Sequence, residues 1–164
     1  MYKYLLWDID GTVLDFLSSE AYAIRALFKK YNLGECSDEM LKFLGRSHSC
    51  ADTVKAVERA RKAGFSNISL DLMIGLPDSN LSTLERDIDF ILSLSPSHIS
   101  AYILKIEPDT AFGKRATALG LLDDDAIAEQ YLYMCEKLKA QGFSHYEISN
   151  FAKTGLEGKH NMKY

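Results

Sequence analysis

Short apolar runs alternate along the chain with stretches whose apolar residues recur every three or four positions. That alternation predicts an α/β protein with mostly parallel strands. Strands are expected over residues 2–9, 67–75 and 98–106, with a shorter piece at 145–149. The first helix should run from Ser18 or Ser19 to about Tyr31, placing Ile24, Leu27, Phe28 and Tyr31 on one face, with Gly34 beyond its end. A short helix is expected from Asp38 to Leu44. Ser49 and Asp52 form a capping pair for a helix through Val54, Val57 and Ala60 that stops at Gly64. Another should open at Ser82, with Glu85 in the capping-box position, and bury Leu81, Leu84, Ile88 and Ile91. The last runs from about Asp124 to Gln141. It turns Ile127, Tyr131, Met134 and Leu138 inward, has Asp123 to Asp125 at its electropositive start and stops at Gly142.

Alternation within the strands bears on function. In Asn67-Ile68-Ser69-Leu70-Asp71-Leu72-Met73-Ile74, one face is Ile68, Leu70, Leu72 and Ile74, and the other carries Ser69 and Asp71. The next strand repeats the asymmetry, with Ile99, Ala101 and Ile103 opposed to His98, Ser100 and Tyr102. In a barrel of parallel strands the oily face meets the surrounding helices and the polar face lines the lumen. Two readings follow: the polar groups line a ligand cavity, or they hydrogen-bond one another or face solvent.

Composition narrows the class. With 164 residues, 47% hydrophobic and 26% charged, the chain has the make-up of a globular protein. A formal charge of −4 and a pI near 5.6 provide no basic stripe, so nucleic acid is not an expected partner. No apolar stretch approaches the roughly 18 residues of a membrane span. The opening Tyr2-Lys3-Tyr4-Leu5-Leu6-Trp7 is strand-like rather than leader-like, so a cytoplasmic protein is expected. Cys36, Cys50 and Cys135 are widely spaced and odd in number, which fits reduced thiols.

Asp8-Ile9-Asp10-Gly11-Thr12 follows the first strand, so Asp8 and Asp10 project near its carboxyl end, where α/β sheets place chemistry. This segment resembles the first motif of the haloacid-dehalogenase-like phosphatases, and the stretch through Met40 is similar to a nucleotidase-like branch of them. The resemblance implies Asp8 as nucleophile, Asp10 as acid/base, and Mg²⁺ held by both beside a phosphate. The remaining parts of that machinery find no match. Asp123-Asp124-Asp125 follows a poor strand and reads as a solvated helix start.

From Leu44 onward, about 120 residues carry four motifs. They are Leu44-Gly45-Arg46-Ser47-His48-Ser49, Asp71-Leu72-Met73-Ile74-Gly75-Leu76-Pro77, His98-Ile99-Ser100-Ala101-Tyr102 with Ile106-Glu107 following, and Tyr146-Glu147-Ile148-Ser149-Asn150-Phe151-Ala152. The chain then ends in His160-Asn161-Met162-Lys163-Tyr164. This series resembles the oxygen-independent coproporphyrinogen III oxidase family, and in particular its heme-chaperone branch, whose members are radical S-adenosylmethionine proteins with a partial barrel. The resemblance implies that Arg46 and Asp71 contact S-adenosylmethionine and that His160 and Tyr164 belong to a heme site.

The departures matter as much. Such proteins hold a 4Fe-4S cluster through a Cys-x3-Cys-x2-Cys loop, and no two cysteines here have that spacing. The cluster cannot be built that way, which argues against radical chemistry by this chain alone. Asp78-Ser79-Asn80 also departs from the small and amide residues expected after Pro77. The combined expectation is a partial parallel barrel, half TIM-like and of radical S-adenosylmethionine type, preceded by an N-terminal βα unit. Residues 1–40 would be the haloacid-dehalogenase-like segment and residues 41–164 the heme-chaperone-like one. The functional reading is a fragment that binds a porphyrin or a nucleoside. Its alternatives are a Mg²⁺-dependent phosphatase using Asp8 and a non-catalytic structural module. A half-barrel with an open sheet edge would tend to self-associate.

Overall fold

The computed structural model describes residues 38–106 and 121–158. Packing divides the chain into one unit ending at Phe65 and a second beginning at Ser66. The expected strand over 2–9 and the helix ending near Tyr31 lie outside the described residues.

In the first unit, α1 spans Asp38–Phe43 and α2 spans Cys50–Lys62. The capping pair forms as the sequence predicts. Ser49 N–H donates to Asp52 Oδ2 at 2.9 Å, and Asp52 N–H donates to Ser49 Oγ at 3.2 Å, which satisfies two amides at the start of α2. Asp38 Oδ1 accepts from Cys50 N–H at 2.8 Å, joining the first turns of the two helices. Gly64, at φ +90, takes the left-handed conformation that ends the second. Cys50 is disulfide-bonded, contrary to the expectation of reduced thiols, whereas Cys135 is free.

The second unit runs β1 (Ser69–Ile74), α3 (Leu81–Ser93), β2 (His98–Ile103), α4 (Asp124–Ala140), β3 (Ser144–Glu147) and β4 (Asn150–Ala152). The strands form one sheet in the order β1-β2-β4-β3. β1 and β2 are parallel with Ser69 opposite His98 and Asp71 opposite Ser100, and α3 supplies the crossover that a parallel pair requires. β4 lies antiparallel to β2, with Ile99 opposite Phe151, and antiparallel to β3. The expected short strand over 145–149 is therefore a hairpin. Its turn has no Asn-Gly or Asp-Gly pair to announce it. The Glu147 carboxylate accepts the Ser149 amide at 3.1 Å instead, and the Tyr131 hydroxyl donates to Ile148 C=O at 2.7 Å.

α3 begins earlier than expected because Asn80 is its cap. Asn80 Oδ1 accepts from Thr83 N–H at 3.0 Å, and Thr83 Oγ1 accepts from Asn80 N–H at 2.8 Å. Glu85, freed from that role, pairs with Lys137 of α4 at 3.0 Å, and Asp89 joins the same ammonium at 2.7 Å. Inside this link lies the core of the unit. Leu72, Ile74, Ile99, Ala101 and Phe151 of the sheet pack with Leu84, Ile88 and Ile91 of α3, Met134 and Leu138 of α4, and Phe143 beyond it. Of the predicted oily strand faces, Leu72, Ile74, Ile99 and Ala101 enter this core while Ile103 is 50% exposed, and of the predicted helix faces Leu84, Ile88, Ile91, Met134 and Leu138 enter it. Gly75 ends β1 at φ +71, where a Cβ would also stand 3.4 Å from Ile127 Cγ1 of α4.

Candidate functional site

The face of the sheet turned away from α3 and α4 carries Ser69, Asp71 and Met73 from β1, His98, Ser100 and Tyr102 from β2, and Asn150 from β4. The two readings left open by the sequence each hold for part of this face. His98 and Ser100 on β2 and Asn150 on β4 are buried and hydrogen-bonded, whereas Ser69 and Asp71 on β1 and Tyr102 towards the end of β2 are exposed.

Two networks make up the buried part. In the first, Ser69 Oγ lies 2.8 Å from His98 Nδ1, and Tyr146 Oη lies 2.6 Å from His98 Nε2. Gly158 N–H donates to the same phenol oxygen at 3.1 Å. Burial pushes the His98 pKa below its ordinary value. The partners of both ring nitrogens are hydroxyls, not carboxylates. Ser69 and His98 are therefore poorly arranged as nucleophile and base, and their geometry fits a structural link across three strands.

In the second network, Ser100 Oγ donates to Asn150 Oδ1 at 3.0 Å, and the Asn150 amide donates to Glu147. Hydrogen bonds from Asn150 and from the Ser149 amide hold the Glu147 pKa below its ordinary value, so this carboxylate is ionised near neutral pH. Asp71 stands beside this network, at the register position opposite Ser100.

The carboxyl end of β1 leads into the loop Gly75-Leu76-Pro77-Asp78-Ser79-Asn80, with Asp78 at φ +55. Gln130 of α4, 3% exposed, reaches both ends of this loop. Its Oε1 accepts from Gly75 N–H at 3.0 Å, and its Nε2 donates to Ser79 Oγ at 3.0 Å. Ser79 Oγ in turn donates to Leu76 C=O at 2.6 Å.

Of the residues singled out from the sequence, Asp71 lies on the polar face of the second unit. Arg46 belongs to the first unit, half-buried after α1, with its amide bonded to Leu41 C=O at 2.8 Å. Asp8, Asp10, His160 and Tyr164 lie outside the described residues. Among the described residues, no group of three or more His, Cys, Asp and Glu side chains is placed to hold a metal. Sequence reasoning missed Gln130 and the pairing of His98 with Tyr146. The signal for Gln130 was an amide between Ile127 and Met134 on the inward face of α4. Nothing in the spacing of His98 and Tyr146 announces their contact.

No family model matches the chain. It is 46% identical over 129 residues to the heme chaperone HemW of Bacillus subtilis, covering 77% of this chain and 34% of that protein. It is 32% identical over 161 residues to the heme chaperone HemW of Synechocystis, covering 96% of this chain and 39% of that protein. The fold matches coproporphyrinogen III oxidase (HemN) from Escherichia coli, a radical SAM enzyme, with a TM-score of 0.66 at 18% identity. That match covers 74% of this chain and 28% of that one. The chain thus spans about a third of the length of these curated relatives. It is similar to a fragment of the heme chaperones, and its mixed α/β fold matches a fragment of the fold of that oxidase. The haloacid-dehalogenase-like reading gains no support from these relatives. The Synechocystis match, moreover, runs through nearly the whole chain and so is not confined to residues 41–164.

Proposed function

We propose that this chain is a ligand-binding segment of a radical S-adenosylmethionine, heme-chaperone-like protein, with residues 41–164 carrying the resemblance. In this reading Asp71 and Arg46 contact S-adenosylmethionine, and His160 and Tyr164 belong to a heme site.

The observation that carries the reading is the placement of Asp71, an exposed carboxylate, on the polar face of the sheet at the register position opposite Ser100. An exposed carboxylate at that position has the acceptor oxygens to take the two hydroxyl donors of a ribose. S-adenosylmethionine, when bound, supplies a sulfonium that one-electron chemistry can cleave. The residues present do not fit the cluster that would deliver that electron. The three cysteines lack the Cys-x3-Cys-x2-Cys spacing, Cys50 is disulfide-bonded, and burial raises the pKa of the Cys135 thiol. The function proposed is therefore binding by this chain, without radical chemistry.

A cytoplasmic setting and self-association complete the proposal. No helix among the described residues is long and apolar enough to cross a membrane. Titration of the purified chain with hemin, followed in the Soret band and repeated with His160→Ala, tests the heme part. Saturable binding that weakens in the variant supports it, and identical spectra for the two chains count against it. A single 18.5 kDa species in sedimentation at high concentration counts against self-association.

A further inference from the structure

The loop from Gly75 to Asn80 leaves β1 at the end of the sheet where α/β proteins place their ligands. It is held partly from within and partly by α4. Gly75 and Asp78 both sit at positive φ, and the Ser79 amide and hydroxyl both turn back onto Leu76 C=O, at 3.1 and 2.6 Å. Further support comes from outside the loop. Gln130, in the middle of α4, accepts from the first residue of the loop and donates to Ser79, the residue just before the α3 cap. One side-chain amide thus uses its acceptor on one end of the loop and a donor on the other. Ile127, one turn earlier on α4, lies beside Gly75, where a Cβ would stand in van der Waals contact with it at 3.4 Å.

We infer that Gln130 is a positioning residue: its amide clamps the loop 75–80 and thereby fixes the rim of the ligand-bearing end of the sheet. The consequence for ligand affinity rests on the function proposed above, whereas the clamp itself rests only on the hydrogen bonds. A buried amide in an otherwise apolar helix face is costly unless both its ends are satisfied, and here the loop backbone and a loop hydroxyl satisfy them. Gln130 therefore couples α4 to the loop shape, where a leucine or methionine would only fill the space.

The test compares the full chain with Gln130→Met, which keeps the length and removes the amide, with Ser79→Ala, and with the double variant. Amide hydrogen exchange is read residue by residue, and the affinity for S-adenosylmethionine is read by calorimetry. Exchange at Gly75 and Ser79 should quicken about tenfold in Gln130→Met, while the amides of β2 and α3 change little. The effects of the two substitutions should combine to less than their product, because each removes part of the same clamp. S-adenosylmethionine affinity should fall with the loss of loop protection. Uniform quickening across the unit, or multiplicative effects of the two substitutions, would overturn the clamp. Absence of S-adenosylmethionine binding by the unsubstituted chain would instead overturn the functional reading, and loop exchange would still decide the clamp. Ser79→Ala, at a half-buried loop position, carries the test alone if Gln130→Met impairs folding.

Discussion

The two faces of the sheet are made from alternate residues of the same strands, yet they are held by different physics. On the helix-covered face, Ile99 and Phe151 are fully buried against α3 and α4, and the stabilisation is apolar area removed from water. On the opposite face, His98, Ser100 and Asn150 are nearly as buried, but each is acceptable there only because another side chain completes its hydrogen bonds. The difference separates polar residues buried in hydrogen-bonded networks from those exposed to solvent. On β1 the second face opens to solvent at Ser69 and Asp71; Ser69 is tied to buried His98, whereas Asp71 is not part of either of the two buried networks.

The largest effect should come from the oily face. Phe151→Ala should cost about 3–5 kcal/mol in urea unfolding, since the ring is fully buried and also stacks on His145 at 4.4 Å. A cost below that of the polar-face variants would break the contrast. Asn150→Ala comes next, at about 1–3 kcal/mol, because it strips Ser100 and Glu147 of their common partner in a buried setting.

Acidification probes the same face. Burial lowers the His98 pKa in the folded chain below its ordinary 6.5, so the unfolded chain takes up a proton first as pH falls. The stability that neutral His98 contributes should be complete above about pH 6.5 and decline as pH falls from there towards the folded-state value. His98→Gln should flatten part of that slope in melts recorded across the range. The residual slope should include His48 of the first unit, whose pKa is lowered by burial and then by Arg46. A slope identical in His98→Gln would mean that the imidazole is not held neutral by its surroundings. Asp71→Asn should have the smallest effect on stability, within about 0.5 kcal/mol, as expected for an exposed polar substitution.

Much of this contrast was legible in the sequence because it is a matter of period. Alternation over Ser69 to Ile74 and His98 to Ile103 placed Leu72, Ile74, Ile99 and Ala101 towards the helices and Asp71 and Ser100 away from them. Ser49 and Asp52 announced the start of α2 because a capping box is local. The features that were missed depend on contacts between distant residues. Asn80 rather than Ser82 caps α3, since both residue types cap well and the choice depends on how the loop after Gly75 closes. The hairpin at Glu147 and Asn150 has a turn held by a side-chain carboxylate, for which no short motif exists. Gln130 reaches across more than fifty residues to Gly75, and periodicity could mark only its position on the inward face.

The central claim is that Asp71, on the open part of the polar face, is a ligand group and not a structural one. Calorimetric titration of the full chain with S-adenosylmethionine, beside Asp71→Asn and with thermal melts of both chains, tests it most directly. The account predicts saturable binding by the unsubstituted chain and at least about tenfold weaker binding by Asp71→Asn, as for the loss of one charged hydrogen-bonding partner, with superimposable melts. Equal affinities in the two chains, or no binding by a chain that melts cooperatively, would contradict it.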